Sequence, residues 1–308
     1  MNWTKKGLIF KPDNHFDWMY SHAQVPTVLK LADRFRIYFA TRDKNSLSHI
    51  ACIDVDINDP QKVLKVYEKP VLPAGPLGAF DEDGTVPSCI IEQDQEIWLY
   101  YNGWNKKVTT PYHNAIGLVK SYDGGLTFER AYEGPVIDRT PFEPYMHVSP
   151  SVLKEEHEYK MWYVSGTKWV TVNNKHEPLY VLKFATSQDG ISWDRTGISC
   201  IPQAHDQEAI ATPSVLKDNG IYKMWYCFRD SEDFRDGAGS YRMGYAESPD
   251  GKVWQRLDNK TGIRCSEEGW DSKMQCYPYV VKHDNQLFMF YSGNGFGKEG
   301  IGYAVLEL

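Results

Sequence analysis

HVSPSVLKEEHEYKMWYVSG (147–166) and IATPSVLKDNGIYKMWYCFR (210–229) are two versions of one unit. Each passes from an apolar stretch around a proline, through a polar turn, into an aromatic stretch. Further copies open at AQVPTVLK (23–30), GTVPSCII (84–91) and QCYPYVVK (275–282), so Pro26, Pro87, Pro150, Pro213 and Pro278 recur at spacings of 61, 63, 63 and 65. Twelve residues past each proline stand Tyr38, Leu99, Trp162, Trp225 and Phe290, which aligns the first hairpin of all copies without a gap. A third segment follows in each: HIACIDVD, NAIGLVKS, YVLKFATS, YRMGYAES and GIGYAVLE.

Short alternating segments bounded by Gly, Asp and Asn are strands of antiparallel meanders. Four such strands repeated five times predict an all-β chain, a five-bladed β-propeller with four-stranded antiparallel blades, as one domain over 1–308. The last repeat has no fourth strand of its own. WTKKGLIFKP (3–12) matches the fourth strand WDRTGISCIP (193–202), with Trp3, Gly7 and Pro12 falling where Trp193, Gly197 and Pro202 do. The N-terminal strand is therefore expected to complete the last blade and leave no open edge.

Composition narrows the function classes. A net charge of −7 and a pI near 5.7 provide no basic footprint for a phosphate backbone, so nucleic acid is not the expected partner. No apolar run approaches the ~18 residues of a membrane span, and the N-terminus carries no secretory pattern, so a cytoplasmic location is expected. The six cysteines are spread singly, without zinc or redox spacing, and read as reduced core residues. No cofactor and no metal are expected.

SYDGGLTF (121–128) follows the S-x-D-x-G turn pattern of Asp-boxes, and SQDGISW (187–193) and SPDGKVW (248–254) are shortened versions of it. Asp123, Asp189 and Asp250 are read as turn formers, since Asp accepts from nearby backbone N–H groups and Gly takes positive φ. Together with the P-S-V-L-K and Y-K-M-W-Y strands, these turns resemble the five-bladed glycosidase superfamily. That group includes glycoside hydrolase family 43, the invertases and levansucrases of families 32 and 68, and the mannoside phosphorylases of family 130. The resemblance implies a carbohydrate-active enzyme with an axial pocket, lined by residues just before each repeat proline and about sixteen after it.

Those windows hold many carboxylates, and glycoside cleavage needs an acid and a base or nucleophile. Asp83 with Glu82 is the first choice, because clustered carboxyls hold a proton at neutral pH, although Asp83-Gly84 also reads as a turn. Glu143 and Glu208, leading into the third and fourth repeats, and Asp271, leading into the fifth, complete the catalytic candidates. A rim charge is the alternative reading for each. For substrate, His22 and His147 converge from equivalent segments, and Trp104 and Trp270 could stack on a sugar.

Arg42 and Arg229 stand sixteen residues after their prolines, where other repeats have Gly103, Gly166 and Asn294. A forked donor placed twice at one repeat position suggests an anion site, which Lys273 and Gln275 could join. Salt bridges to Asp43 and Asp230 are the alternative. The family 43 pattern is incomplete: Val25 stands where its base aspartate precedes the first proline, and His147, Val148 and Ser149 precede the third. The expected partner is a carbohydrate or sugar phosphate, cleaved, transferred, phosphorolysed or only bound.

Overall fold

Each proline-centred stretch forms the first strand of a four-stranded antiparallel meander. The computed structural model describes residues 1–235 and 237–308, apart from the Thr196 side chain. The first meander is Ser21–Lys30, Arg34–Arg42, Ser48–Asp56 and Val63–Val66; the second is Gly84–Gln93, Glu96–Lys106, Tyr112–Ser121 and Glu129–Arg130. The third is His147–Lys154, Tyr159–Val172, Lys175–Ser187 and Asp194–Ser199, and the fourth Ala209–Asp218, Ile221–Arg229, Arg242–Ser248 and Gln255–Arg256. The fifth comprises Cys276–His283, Gln286–Ser292 and Ile301–Glu307, with Thr4–Phe10 antiparallel to the last of these and Leu8 opposite Gly302. A parallel bridge between Ser48 and Gly84 joins the first two meanders into one sheet.

The first strands of successive meanders lie against one another, and the fifth returns to the first. The repeated serine after the proline makes these contacts specific. Ser151 Oγ accepts the Val215 N–H at 3.1 Å and Ser214 Oγ accepts the Val280 N–H at 2.8 Å. Cys89 Sγ does the same for the Val152 N–H.

The aromatic second strands reach outward to the next meander's turn. Tyr38 Oη donates to Gly125 O, Tyr100 Oη to Gly190 O and Trp162 Nε1 to Gly251 O, at 2.6 to 2.7 Å. These carbonyls belong to the Asp-box turns, in which Asp123 accepts from the Leu126 and Thr127 N–H groups, and Asp189 and Asp250 repeat the pattern. Trp225, with no such turn ahead of it, meets Trp3 edge-on at 5.9 Å.

The gapless alignment therefore fails in the second repeat. Tyr100, not Leu99, is the equivalent of Tyr38 and Trp162. Cys89 faces Tyr100 two residues past Pro87, whereas Ser151 faces Trp162 one residue past Pro150, so the second copy carries an extra residue. The cysteines are unpaired, and all but the half-buried Cys265 are buried. Among the described residues no helix is long and apolar enough to cross a membrane.

Candidate functional site

In four of the five first strands, the residue before the repeat proline has left-handed backbone geometry: Val25 (φ 54°), Ser149 (51°), Thr212 (49°) and Tyr277 (59°). The hairpin register skips at each of these points. Such a bulge re-aims a side chain, and for branched residues such as Val25 and Thr212 the conformation costs roughly 1–3 kcal/mol, so the surrounding packing must enforce it. All four side chains line one cavity of about 400 Å³, to which every meander contributes.

Arg42 and Arg229 both line this cavity. Arg42 is half-buried, with one side-chain hydrogen bond, from Nε to Gln24 Oε1 at 3.3 Å. Burial pulls its guanidinium below the usual arginine pKa, the direction expected of a cation without a counter-charge. Arg229 is 3% exposed and held by neutral groups: Nε donates to Tyr180 Oη (3.0 Å), and the terminal nitrogens to the Asp230 and Pro178 carbonyls (2.8 Å each). Its guanidinium stacks 3.9 Å from the Phe234 ring centre. Among the described residues, neither arginine has a carboxylate oxygen within 4.0 Å; Asp43 and Asp230 do not pair with them.

With the extra residue counted, Trp104 rather than Gly103 stands in register with Arg42 and Arg229, and Gly166 holds that place in the third meander. A Cβ on Gly103 would stand 2.4 Å from the Phe80 ring and 2.6 Å from Asp81 Cβ, and one on Gly166 would stand 2.7 Å from Tyr145 Cβ. Lead-in segments cross behind these two glycines. In the fifth meander, Asn294 Oδ1 instead accepts from the Lys273 and Met274 N–H groups and ties its lead-in segment down.

Aromatic and amide side chains, Trp104, Tyr112, Tyr180, Tyr241, Asn102 and Asn114, share the lining with aliphatic ones such as Val86, Val148 and Val164. Trp104 Nε1 donates to Ser48 Oγ at 2.7 Å. Tyr180 and Tyr241 share a hydrogen bond beside Arg229. Among the described residues one carboxylate, Glu177, is on the lining, and Arg235 grips it with two contacts of 2.7 and 2.9 Å.

The nominated catalytic carboxylates stand elsewhere, and three of the four, Glu143, Glu208 and Asp271, belong to a recurring clasp of lead-in carboxylate, second-strand tyrosine and outer-strand cation. Glu143 accepts from Tyr163 Oη (3.0 Å) and pairs with Arg195 and Lys183 (2.9 Å each); burial raises its pKa, but His147 and Lys183 beside it outweigh that and hold it down at about 2. Asp271 accepts from Tyr291 Oη, Gln275 Nε2 and Lys5 Nζ at 2.8 to 2.9 Å. In the fourth meander the clasp is divided, with Arg256 gripping Glu208 through both terminal nitrogens while Tyr226 Oη donates to Asp258. Asp81, with Tyr101 and Arg130, completes the series. Phe39, lacking a hydroxyl, breaks it in the first meander.

Asp83 accepts from the Lys106 N–H at 2.7 Å, and Glu82 accepts from the Gly78 N–H, so both serve loop turns. His22 contacts Ser21 Oγ; burial, reinforced by Arg42 and Lys298, pushes its imidazole down to about 3. His147 is fully buried, 3.4 Å from Glu143. Trp270 stacks on Tyr291 at 5.0 Å, and it shares a separate surface cleft with Lys273. Gln275 is buried against Asp271. Of all the nominated residues, the cavity gathers Arg42, Trp104 and Arg229.

Glu177, Arg235, Tyr180 and Tyr241 were not among them. For the tyrosines a signal existed: the third strands YVLKFATS and YRMGYAES both begin with tyrosine. Glu177 and Arg235 lie in an extended hairpin and a loop outside the repeat, where position carries no information.

No family model matches the chain. The uncharacterized protein MT1551 of Mycobacterium tuberculosis (strain CDC 1551 / Oshkosh) is 37% identical to it over 309 residues, covering 100% of both chains. A solved structure described as a glycoside hydrolase superimposes with a TM-score of 0.77 at 17% identity, covering 98% of this chain and 91% of its own. A structure from work on the GH130 family of mannoside phosphorylases, which contains glycoside hydrolases targeting β-1,2 mannosidic linkages in Candida mannan, gives 0.73 at 14% identity, covering 99% and 94%. At these identities the likeness is one of fold. It agrees with the superfamily resemblance carried by the repeat motifs.

Proposed function

We propose, for a chain that belongs to the family of the Mycobacterium tuberculosis protein MT1551, that the closed series of meanders is one five-bladed β-propeller over 1–308 and a glycosidase-like carbohydrate-active protein, its cavity taking a sugar that bears a carboxylate or phosphate. One observation carries this reading: Arg42 and Arg229 share the cavity, and neither has a carboxylate partner among the described residues. A cation held out of water without a counter-charge is costly, and an incoming carboxylate or phosphate relieves that cost through charge-assisted, forked hydrogen bonds. The aromatic lining suits the C–H faces of a sugar ring. Preference for a sugar over other anions rests on analogy of fold.

Two-carboxylate hydrolysis sets an acid and a base roughly 5–9.5 Å apart across the scissile bond. In this reading Glu143, Glu208 and Asp271 are scaffold, and Glu177 is the candidate for the reaction. Its lone position favours a second reading, phosphorolysis, in which phosphate held by arginine is itself the attacking group and needs no carboxylate to activate it. The test is calorimetry of uronates and sugar 1-phosphates against neutral parent sugars, alongside incubation of aryl glycosides and uronosides with and without phosphate. Acidic sugars are expected to bind about tenfold tighter than neutral ones. Product formed only with phosphate supports phosphorolysis, and binding without product leaves a sugar-binding protein. Equal affinity for neutral and acidic sugars overturns the reading.

A further inference from the structure

The two arginines do not form one clamp. Arg42 ends the second strand of the first meander and Arg229 the second strand of the fourth. In ring order the fifth meander separates them on one side, and the second and third on the other. Their surroundings differ as well. Arg42 has Gln24 beside it and His22 and Tyr277 within electrostatic reach, whereas Arg229 is set among Tyr180, Phe234 and the Pro178 and Asp230 carbonyls. Among the described residues no side chain hydrogen-bonds to both.

A guanidinium has about five N–H donors. Arg229 uses three of them on protein acceptors and Arg42 uses one. Both retain donors, and among the described residues neither has a neutralising charge. A ligand with a single anionic group would satisfy one centre and leave the other cation shielded from water and unpaired.

Building on the anionic-sugar reading, we propose that the ligand is a saccharide with two anionic groups, one received at Arg42 and the other at Arg229. The ring lies between them over the aromatic lining. Two sources share this chemistry: an acidic sugar that also carries a phosphate, and an acidic sugar bound together with free inorganic phosphate.

The experiment is calorimetry on the full chain with glucuronic acid 1-phosphate and its galacto and manno epimers, compared with the uronates, the neutral sugar 1-phosphates, and the uronates in saturating phosphate. The doubly charged sugar is expected to bind at least about tenfold tighter than either singly charged one, the gain of one further charge-assisted pair. Tighter uronate binding in phosphate would instead assign the second anion to the free ion, and it also supports two centres. Arg42→Met should return the doubly charged sugar to the affinity of a single anion, while Arg42→Lys, which guards against a folding defect, keeps part of the gain. If singly charged sugars bind and neither a second charge nor added phosphate tightens them, the two-centre arrangement falls and the anionic-sugar site stands. If no acidic sugar binds, both fall.

Discussion

Replacing Glu143 by Gln distinguishes a clasp from a catalyst. Glu143 is 3% exposed, and its charge neutralises Lys183 and Arg195, whose side chains are 15% and 16% exposed. An amide of the same shape retains some hydrogen bonding but leaves these two cations against a neutral group. Breaking a buried pair by removing one partner costs about 3–5 kcal/mol. With an unfolding entropy near 2.1 cal/mol/K per residue, a chain of 308 residues should lose roughly 5–8 °C of melting midpoint. Scanning calorimetry at neutral pH reads that shift directly.

The pH profile adds a second readout. Glu143 has its folded pKa held at about 2, below the ~4.3 of an unstructured glutamate. A carboxylate depressed by folding stabilises fully above its unfolded pKa and loses that contribution as pH falls toward the folded one. The wild-type midpoint should therefore fall between about pH 4.5 and 2, and the Gln variant should fall less steeply. Affinity for acidic sugars should be unchanged. An unaltered midpoint combined with lost turnover would refute the structural assignment and return Glu143 to the catalytic list.

Two further outcomes follow from the same geometry. Lys5→Ala removes the cation that ties Thr4–Phe10 to Asp271, and should cost about 1–3 kcal/mol, because Lys5 is partly exposed; limited proteolysis should then clip the N-terminal segment before the rest of the chain. Arg42→Met should leave the melting midpoint unchanged or raise it while weakening acidic-sugar binding about tenfold, since a cation kept for binding detracts from stability.

The repeat was legible because burial on one face and turns at regular intervals impose a pattern that neighbouring residues must all obey. The proline stretches, the aromatic strands and the Asp-box turns sit where that pattern puts them. Leu99 was misaligned because a single inserted residue can be absorbed at a bulge without breaking alternation. The lead-in carboxylates are visible in the sequence, but their partners are not. Glu143 turns toward Tyr163, Lys183 and Arg195 because cations on the third and outer strands attract it, and those strands lie 40 or more residues further on. Arg42 and Arg229 were legible as breaks in a repeat. Glu177 and Arg235 break nothing, since no other repeat has a counterpart to compare.

The residues in register with the two arginines bear on how the cavity could change. Trp104 occupies that place in the second meander, Gly166 has no room for even a methyl group, and Asn294 is committed to its own loop, so at this register the cationic side chains stand in the first and fourth sectors. Charge around the hole is consequently lopsided by construction. A guest could be turned end for end, but its acidic points could not migrate around the rim without rebuilding the loops behind it. Drift in this lineage should thus alter the aromatic and amide lining more readily than the compass bearings of its two positive poles.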